Sequence, residues 1–257
     1  MSARTCQANW AAVPAHNILL ASPCGQGHSK ARGKSSGNPQ HDASRSTAWA
    51  VVSVTEYHRP AFAVIENVPE FLRWSLYPAW SLAMEALAYC LSPHVVDAAD
   101  HGVAQHRERL FIVAARGKRP LLLHFPQREH IPASSFIDFA AGSWQPIEKP
   151  GPAANTLARV AVGRQAHGER FISSYYGAER SGRSLHRPIG TITTRERHAI
   201  IDGGRMRMFS AQECRAAMGF PAHYKLPTQH RLAVHMLGNV VCPPVARDVI
   251  LTLKEAA

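Results

Sequence analysis

The sequence is poor in cysteine, and its few cysteines form none of the pairs typical of metal or disulfide frameworks. The 257 residues hold five of them, widely spaced and without a Cys-x-x-Cys pair: Cys6, Cys24, Cys90, Cys214 and Cys242. An odd number of dispersed thiols does not indicate a disulfide scaffold, and the lack of His/Cys ligand spacing does not indicate structural zinc. We therefore expect a reduced, cytoplasmic protein without a metal site.

Long apolar runs and acidic residues are also scarce. No stretch approaches the roughly 20 apolar residues of a membrane span, and no signal-peptide pattern opens the chain. Acidic residues number 18 against 29 lysines and arginines, which gives a formal net charge of +11. This excess favours a polyanionic partner, because clustered basic groups release counterions when they bind phosphates. Composition alone leaves open a protein that is merely basic.

What is present is a globular α/β pattern without an internal repeat. Hydrophobic residues make up 46% of the chain and charged residues 18%, enough for a substantial core. Short apolar runs predict strands, and longer segments between them predict helices. An open α/β sheet gathers its ligands at the carboxyl ends of its strands. The predicted strands are Asn17–Ala21, Ala61–Ile65, His94–Val96 and Leu110–Ala114.

Helices are predicted in four places. The first is capped by Asp42 or Ser44 and runs to about Tyr57, and another has a capping box of Ser210 and Glu213. The remaining two are Ala79–Leu91, stopped by Pro93, and Val234–Glu255. The stretch from about Lys118 to Gly190 lacks a regular pattern. We expect an α/β domain over residues 1–119, a small irregular domain over 120–222, and a return to the first domain over 223–257.

Three short blocks place chemically active side chains beside predicted strand ends. Pro23-Cys24 precedes a basic, glycine-rich loop, Glu66-Asn67-Val68 ends the second strand, and Gln105-x-Arg107-x-Arg109 leads into another. Taken singly, each has a plainer interpretation. Cys24 would be a small buried hydrophobe, Glu66 a helix-capping acid, and the arginines a solvated, salt-bridged strip.

Taken together, and followed by Gly238-Asn239 near the end, these blocks resemble the DNA (cytosine-5) methyltransferase family. The resemblance covers most of the chain. It implies an S-adenosylmethionine-dependent, Rossmann-like sheet with a small target-recognition domain. It also implies double-stranded DNA as the partner, with the target cytosine swung out of the helix.

The resemblance assigns catalytic roles to four residues. The thiolate of Cys24 would add to C6 of cytosine, which makes C5 electron-rich enough to accept a methyl group. Glu66, with its pKa raised in a closed apolar pocket, would hydrogen-bond N3 of the base. Arg109 would hold the base near O2, and Arg107 would support the pocket. Because Arg107 and Arg109 alternate, we expect both on one face of the chain.

Further residues follow from the same resemblance. Pro23, Asn239 and Val241 would contact S-adenosylmethionine. The segment from Arg187 to Thr194 resembles the element that adjoins target recognition, and Gln212 to Pro221 resembles a motif that packs the small domain. The predicted DNA contacts are Gln26, Ser29, Lys30, Arg32, Asn67, Thr191 and Thr193, the first four on a loop that closes over the flipped base.

Two departures from the family pattern bear on activity. Family members begin with a Phe-x-Gly-x-Gly cofactor turn, whereas the 23 residues before Cys24 contain no glycine. The sheet would then lack its first strand and helix, and a complementing N-terminal polypeptide becomes a possible partner. The family loop reads Pro-Cys-Gln, whereas Gly25 separates Cys24 from Gln26 here. Either the loop shifts by one residue to present Cys24, or the reactive position has lost its thiol.

Three functions remain open at this point. The leading hypothesis is a DNA cytosine-5 methyltransferase of phage or restriction type, acting alone or as one part of a split enzyme. The second is a truncated remnant that binds DNA without methylating it. The third is methylation of tRNA cytosine by a similar domain, since a fold does not fix its substrate.

Overall fold

The computed structural model describes residues 12–24, 47–117, 119–148, 154–175 and 181–256. The chain divides into two compact units. The first comprises Met1–Val96, Glu108–Leu123 and Ala256–Ala257, and the second comprises Asp97–Arg107 and His124–Glu255. The domain boundaries expected after residues 119 and 222 stay predictions.

The first unit is built on a mixed four-stranded sheet. Its spatial order is β1-β2-β4-β3, from strands β1 (Ile18–Ala21), β2 (Phe62–Asn67), β3 (Tyr89–Asp97) and β4 (Glu108–Arg116). Strand β1 runs parallel to β2, and β4 runs antiparallel to β2. The carboxyl ends of β1 and β2 and the amino end of β4 therefore lie at one edge of the sheet.

Helices α1 (Thr47–His58) and α2 (Tyr77–Ala86), with a 3-10 turn at Pro69–Arg73, accompany this sheet. Trp80, fully buried, donates its indole N–H to the carbonyl of Ala48 at 3.0 Å. The hydroxyl of buried Tyr89 donates to the carbonyl of Pro60 at 2.7 Å. The indole N–H and the phenol hydroxyl both have acceptors, so the two rings are buried in the core without an unpaired donor. Helix α1 confirms the predicted first helix, although its cap candidates Asp42 and Ser44 lie outside the described residues.

Strand β3 corrects the prediction for the segment from Ala79 to Leu91. Helix α2 ends at Ala86, Ala88 adopts a positive φ of 67°, and Tyr89 begins a strand. Pro93 therefore stops no helix and lies within β3. That strand is at the edge of the sheet, where a residue without a backbone N–H is tolerated.

The second unit holds a regular sheet where an irregular segment was predicted. Its spatial order is β5-β8-β7-β6, from the antiparallel strands β5 (Gln145–Pro146), β6 (Arg170–Ser174), β7 (His198–Asp202) and β8 (Arg205–Met208). The same unit contains α3 (Ala154–His167), α4 (Ala211–Ala217), α5 (His230–Asn239), α6 (Pro243–Ala256), and 3-10 turns at Ala98–His101 and Ala133–Ser135. A Cβ atom on Gly163 of α3 would lie 2.2 Å from the ring of Phe171 in β6, so this close approach requires glycine.

The predicted capping box is confirmed at the start of α4. The hydroxyl of Ser210 accepts a hydrogen bond from the backbone N–H of Glu213 at 3.1 Å, and the Glu213 carboxylate accepts from the backbone N–H of Ser210 at 2.8 Å. Gly219, just beyond the helix, has a φ of +74°. The start of the helix is thus formed by the two residues that the sequence indicated, and a glycine in the left-handed region follows its end.

The stretch His230–Ala256 has the length and apolar composition of a membrane span, contrary to the expectation that no stretch approaches one. It consists of α5 and α6, separated by residues 240–242. Part of the apolar side of both helices is buried in the structure, at Val234, Leu237, Val245, Val249 and Leu253. A core helix of a folded domain meets the same criteria, so the stretch is weak evidence for a membrane segment.

Candidate active site

The segment that leaves β1 is fixed by three successive hydrogen bonds. The hydroxyl of Ser22 donates to Oε2 of Glu66 at 2.9 Å, and the carbonyl of Pro23 accepts from the side-chain amide of Asn67 at 3.0 Å. The backbone N–H of Cys24 donates to the hydroxyl of Thr47 at 2.9 Å. Cys24 is therefore held between the end of β2 and the first turn of α1.

Glu66 and Arg109 form an ion pair across neighbouring strands. The two side chains are 15% and 18% exposed, and Nε of Arg109 lies 3.4 Å from Oε1 of Glu66. The antiparallel pairing of β2 with β4 accounts for the contact, because it places the start of one strand beside the end of the other. The backbone of the thiol-bearing residue, a carboxylate and a guanidinium thus meet at one edge of the first unit's sheet.

The other described cysteines are less suited to nucleophilic attack. Cys214 and Cys242 are buried, and burial raises the pKa of the Cys214 thiol to about 12. A thiol with such a pKa is protonated at neutral pH, whereas the thiolate is the nucleophile. Cys90 is half-buried, but its sulfur contacts the carbonyl of Gly117, just beyond the far end of β4. Among the cysteines that the structure describes, Cys24 is the one beside Glu66.

Arg107 belongs to the second unit and is enclosed by backbone carbonyls. Its side chain is buried, and it donates to the carbonyls of Ile192 at 2.9 Å, Gly238 at 2.8 Å and Val240 at 3.0 Å. Arg107 thereby joins its own segment to two others, one at Ile192 and one at Gly238 and Val240. The expectation that Arg107 and Arg109 lie on one face of the chain stays a prediction.

Gln105 and Asp97 complete this arrangement, although no role was predicted for either from the sequence. The buried Gln105 accepts from the backbone N–H of Ile192 at 2.7 Å. Asp97 accepts from the backbone N–H of Arg107 at 2.8 Å and from Nδ1 of His106 at 2.7 Å. Burial raises the pKa of Asp97, but hydrogen bonds from His106 and from the backbone outweigh it and leave the pKa below its usual value. The position of Gln105 in the Gln-x-Arg-x-Arg block was the feature of the sequence that could have indicated a role for it.

The predicted cofactor residues of the second unit lie on the turn that Arg107 holds. Asn239 is exposed and donates to the carbonyl of His235 at 3.2 Å, and Val241 is half-buried. An exposed amide beside an aliphatic side chain, on a clamped turn, fits the polar methionine end of S-adenosylmethionine. Pro23, in the first unit, is half-buried. None of these three side chains carries a carboxylate, the group that commonly binds the ribose hydroxyls in such folds.

The predicted DNA contacts fall into three groups. Asn67 does not fit the prediction, because it is buried and its amide bonds the carbonyl of Pro23 and the backbone N–H of Val68. The hydroxyls of Thr191 and Thr193 are half-buried and donate to the carbonyls of His106 and Arg195, each at 2.9 Å. The third group lies outside the described residues: Gln26, Ser29, Lys30 and Arg32.

Comparisons with known proteins show which family the chain belongs to. Residues 3–255 match the family model of C-5 cytosine-specific DNA methylase. The chain is 26% identical over 256 residues to the Type II methyltransferase M.DsaV of Dactylococcopsis salina, covering 92% of this chain and 68% of that protein. It is 25% identical over 272 residues to the Type II methyltransferase M.MspI of a Moraxella species, covering 94% of this chain and 58% of the relative.

A solved structure shares the fold. A protein named "putative DNA modification methyltransferase", encoded within an E. coli prophage, superposes with a TM-score of 0.65 at 15% identity, covering 95% of this chain and 80% of that one. The Rossmann-like methyltransferase fold that the sequence predicted is thereby confirmed. The family match spans nearly the whole chain, and the chain belongs to the C-5 cytosine-specific DNA methylase family.

Proposed function

We propose that the chain methylates C5 of cytosine in double-stranded DNA through a covalent bond between Cys24 and C6 of the base. The observation that carries this proposal is the edge of the first unit's sheet, where Ser22, Asn67 and Thr47 hold the Pro23-Cys24 segment beside Glu66 and Arg109. Family membership supports the reaction type.

The residues have distinct tasks in the proposed reaction. As the sulfur of Cys24 bonds to C6, the electron pair of the C5–C6 double bond moves toward C5, and a proton from Glu66 stabilises the ring at N3. Arg109 holds O2 of the base. When bound, S-adenosylmethionine supplies an electrophilic methyl group for C5. Loss of the C5 proton to water, return of the N3 proton to Glu66 and rupture of the sulfur–C6 bond then release the thiolate of Cys24 and restore the aromatic ring.

Glu66 is pre-arranged for its task. Its Oε2 accepts from Ser22 and its Oε1 faces Arg109. Both neighbours orient the carboxyl group before a base enters, so little reorganisation is needed when charge develops on the ring. Ser22 and Arg109 thus both orient Glu66, and Arg109 in addition holds the base.

Such chemistry requires a base outside the helix, since C6 is inaccessible within a stacked duplex. The net charge of +11 supports a DNA partner. Action on DNA is consistent with a cytoplasmic location, which stays a prediction.

Strand β1 supports the proposal that a further polypeptide completes the cofactor site. Ile18 and Leu20 in this edge strand are 42% and 64% exposed, although β1 pairs in parallel with β2. Parallel strands are usually covered on both faces. A segment that carries a glycine-rich cofactor turn and pairs with β1 would cover these side chains and supply the ribose contacts.

Hydrogen exchange at C5 tests the nucleophile without a methyl donor. Addition of Cys24 to C6 makes C5 exchangeable, so tritium from duplex DNA containing [5-³H]cytosine should be released into water. The Cys24→Ser variant should release none above background. Cys90→Ser, which removes another half-buried thiol, should behave as the wild type. Exchange that persists in Cys24→Ser would contradict the assignment of the nucleophile.

Methyl transfer is the second test. A labelled methyl group from S-adenosylmethionine should reach DNA when the chain is combined with a polypeptide that carries the glycine-rich turn, and a 5-fluorocytosine duplex should trap the adduct on Cys24. DNA binding without exchange or transfer in any combination would favour the DNA-binding remnant. Competition by tRNA but not by duplex DNA would favour the tRNA enzyme.

A further inference from the structure

A cavity of about 520 Å³ lies wholly within the second unit, and its lining includes none of the residues proposed for catalysis. Four of its seven described lining residues are basic and none is acidic: His106, His167, Arg183 and Arg187. Two guanidiniums and two imidazole rings around a concave surface without an acidic side chain favour an anionic ligand. The volume is within the range of pockets that enclose small ligands, so there is room for a nucleotide-sized group.

The two arginines project from a firmly anchored backbone. The N–H and carbonyl of Arg183 exchange hydrogen bonds with Ile172, at 2.7 Å and 2.9 Å. The carbonyl of Arg187 accepts from the N–H of Ala133 at 3.0 Å. Gly182, at the start of this segment, has a φ of +71°, and a Cβ atom there would lie 2.7 Å from the ring of Phe171. The segment is therefore built for one conformation before any ligand arrives.

His106 is oriented by its neighbours. Its backbone N–H donates to the carbonyl of Ile189 at 2.8 Å, and its Nδ1 pairs with the carboxylate of Asp97 at 2.7 Å. The ring is 40% exposed. With Nδ1 bonded to Asp97, Nε2 is the nitrogen available to a ligand in the cavity. His167, at the end of α3, lies against the carbonyl of Gly182 at 3.2 Å.

We infer that this cavity binds a phosphodiester of the DNA strand, with Arg187 and Arg183 as the principal contacts. A guanidinium offers a planar fork of N–H donors that matches two phosphate oxygens, and Ser184 adds a hydroxyl in the same wall. The described lining holds no carboxylate, so no negative side chain there repels a phosphate. Contacts of this kind fix the register of a protein on the duplex.

The position of the cavity suggests what the contact achieves. His106 directly precedes Arg107, whose side chain holds the turn at Gly238 and Val240. A phosphate bound by His106 and the arginines is thereby linked to the segment that supports the proposed cofactor turn. The inference rests on the proposed function only in taking DNA as the substrate.

Salt-dependent DNA binding tests the inference without reference to catalysis. Binding of the full chain to a labelled duplex is measured by fluorescence anisotropy at several salt concentrations. We expect Arg187→Gln to weaken binding about tenfold, as for loss of one charge-assisted hydrogen-bonded contact. The slope of log K against log salt should fall by about 0.9, the value for one phosphate contact. Arg187→Lys should retain most of the slope, because it retains the charge.

Arg231→Gln is the matched control, since Arg231 is exposed on α5 and does not line the cavity. Thermal unfolding of each variant verifies that it is folded. Duplexes with a single uncharged methylphosphonate, moved along the strand, locate the contact. At one position the methylphosphonate should weaken DNA binding by the wild type. At that position it should not weaken DNA binding by Arg187→Gln any further.

The outcomes separate this site from the proposed chemistry. An Arg187→Gln variant with the affinity and slope of Arg231→Gln, or a wild type that binds no DNA, would overturn the phosphate site. If the salt slope of Arg187→Gln is unchanged but the wild type shows C5 hydrogen exchange, the phosphate site is overturned and the proposed function stands. If the salt slope of Arg187→Gln falls but the wild type shows no C5 hydrogen exchange, the phosphate site stands and the proposed chemistry is overturned.

Discussion

Glu66 and Arg109 are far apart in the chain, yet Nε of the arginine lies 3.4 Å from Oε1 of the glutamate. Each side chain lies at the same edge of the sheet because β2 and β4 run in opposite directions. In the proposed reaction the pair provides an acid for N3 and a cation for O2 of a cytosine, and both groups are mostly enclosed. It is also the contact that most directly links this fold to the proposed chemistry.

Replacing Glu66 by Gln should slow C5 hydrogen exchange by about 10²–10⁴-fold, the usual contribution of a positioned acid or base. The amide keeps the shape of the carboxyl group but transfers no proton to N3. Binding of DNA, measured by anisotropy, should change little. Ser22→Ala, which removes only the hydrogen bond to Oε2, should have a smaller effect on exchange. An exchange rate in Glu66→Gln equal to that of the wild type would exclude the proton-donating role.

Replacing Arg107 by Met should lower the free energy of unfolding by about 3–5 kcal/mol, because an unsatisfied buried acceptor costs about 1–3 kcal/mol and three carbonyls lose their donor. The carbonyls of Ile192, Gly238 and Val240 would lose a common donor. Urea unfolding measures the change. Arg116→Met, at the exposed end of β4, should shift the free energy by less than about 0.5 kcal/mol. Equal effects of the two substitutions would contradict the holding role of Arg107.

Replacing Gly238 by Ala should destabilise the second unit by about 1–3 kcal/mol through overpacking. A Cβ atom there would lie 2.4 Å from the carbonyl carbon of Thr193 and 2.5 Å from the N atom of Thr194, and backbone atoms cannot easily move away. Gly204→Ala is the control, because a Cβ atom at Gly204 meets nothing within 4 Å. Thermal unfolding of both variants should therefore show a loss at Gly238 alone. A Gly238→Ala protein as stable as Gly204→Ala would refute the close contact.

Asp248 should make stability depend on pH in the acid range. Burial raises its pKa, but hydrogen bonds from Arg128, His101 and Arg247 outweigh this and lower the pKa to about 2. Because the folded pKa is below the unfolded value near 3.8, the unfolded chain takes up the proton first as pH falls. The contribution, about 2 kcal/mol, is therefore complete above pH ~5 and is lost as pH falls toward ~2.

The Asp248→Asn variant checks this dependence. Between pH ~5 and pH ~3 the wild type should lose about 1 kcal/mol of stability that the variant does not lose. Urea unfolding across this range measures the two slopes, and the slopes are compared because Asn also changes stability at neutral pH. Parallel slopes for the two proteins would show that Asp248 does not carry the low pKa.

Much of the site and part of the fold are readable locally. Pro23-Cys24, Glu66-Asn67-Val68 and Gln105-x-Arg107-x-Arg109 each lie beside a strand end in the structure, as their apolar neighbours predicted. The capping box at Ser210 was also predicted, because it depends on two residues within one helical turn. Pro93 was misread, since a proline that stops a helix and one that lies in an edge strand have the same local sequence.

The sequence by itself determined which chemical groups the protein carries, their order along the chain and the strands that present them. Only the tertiary structure decided that Glu66 meets Arg109, that Arg107 holds the carbonyls of distant segments, and that four basic side chains surround one cavity. The physical reason is that periodicity and caps depend on neighbouring residues, whereas strand pairing and buried hydrogen bonds join residues whose separation in sequence carries no local signal.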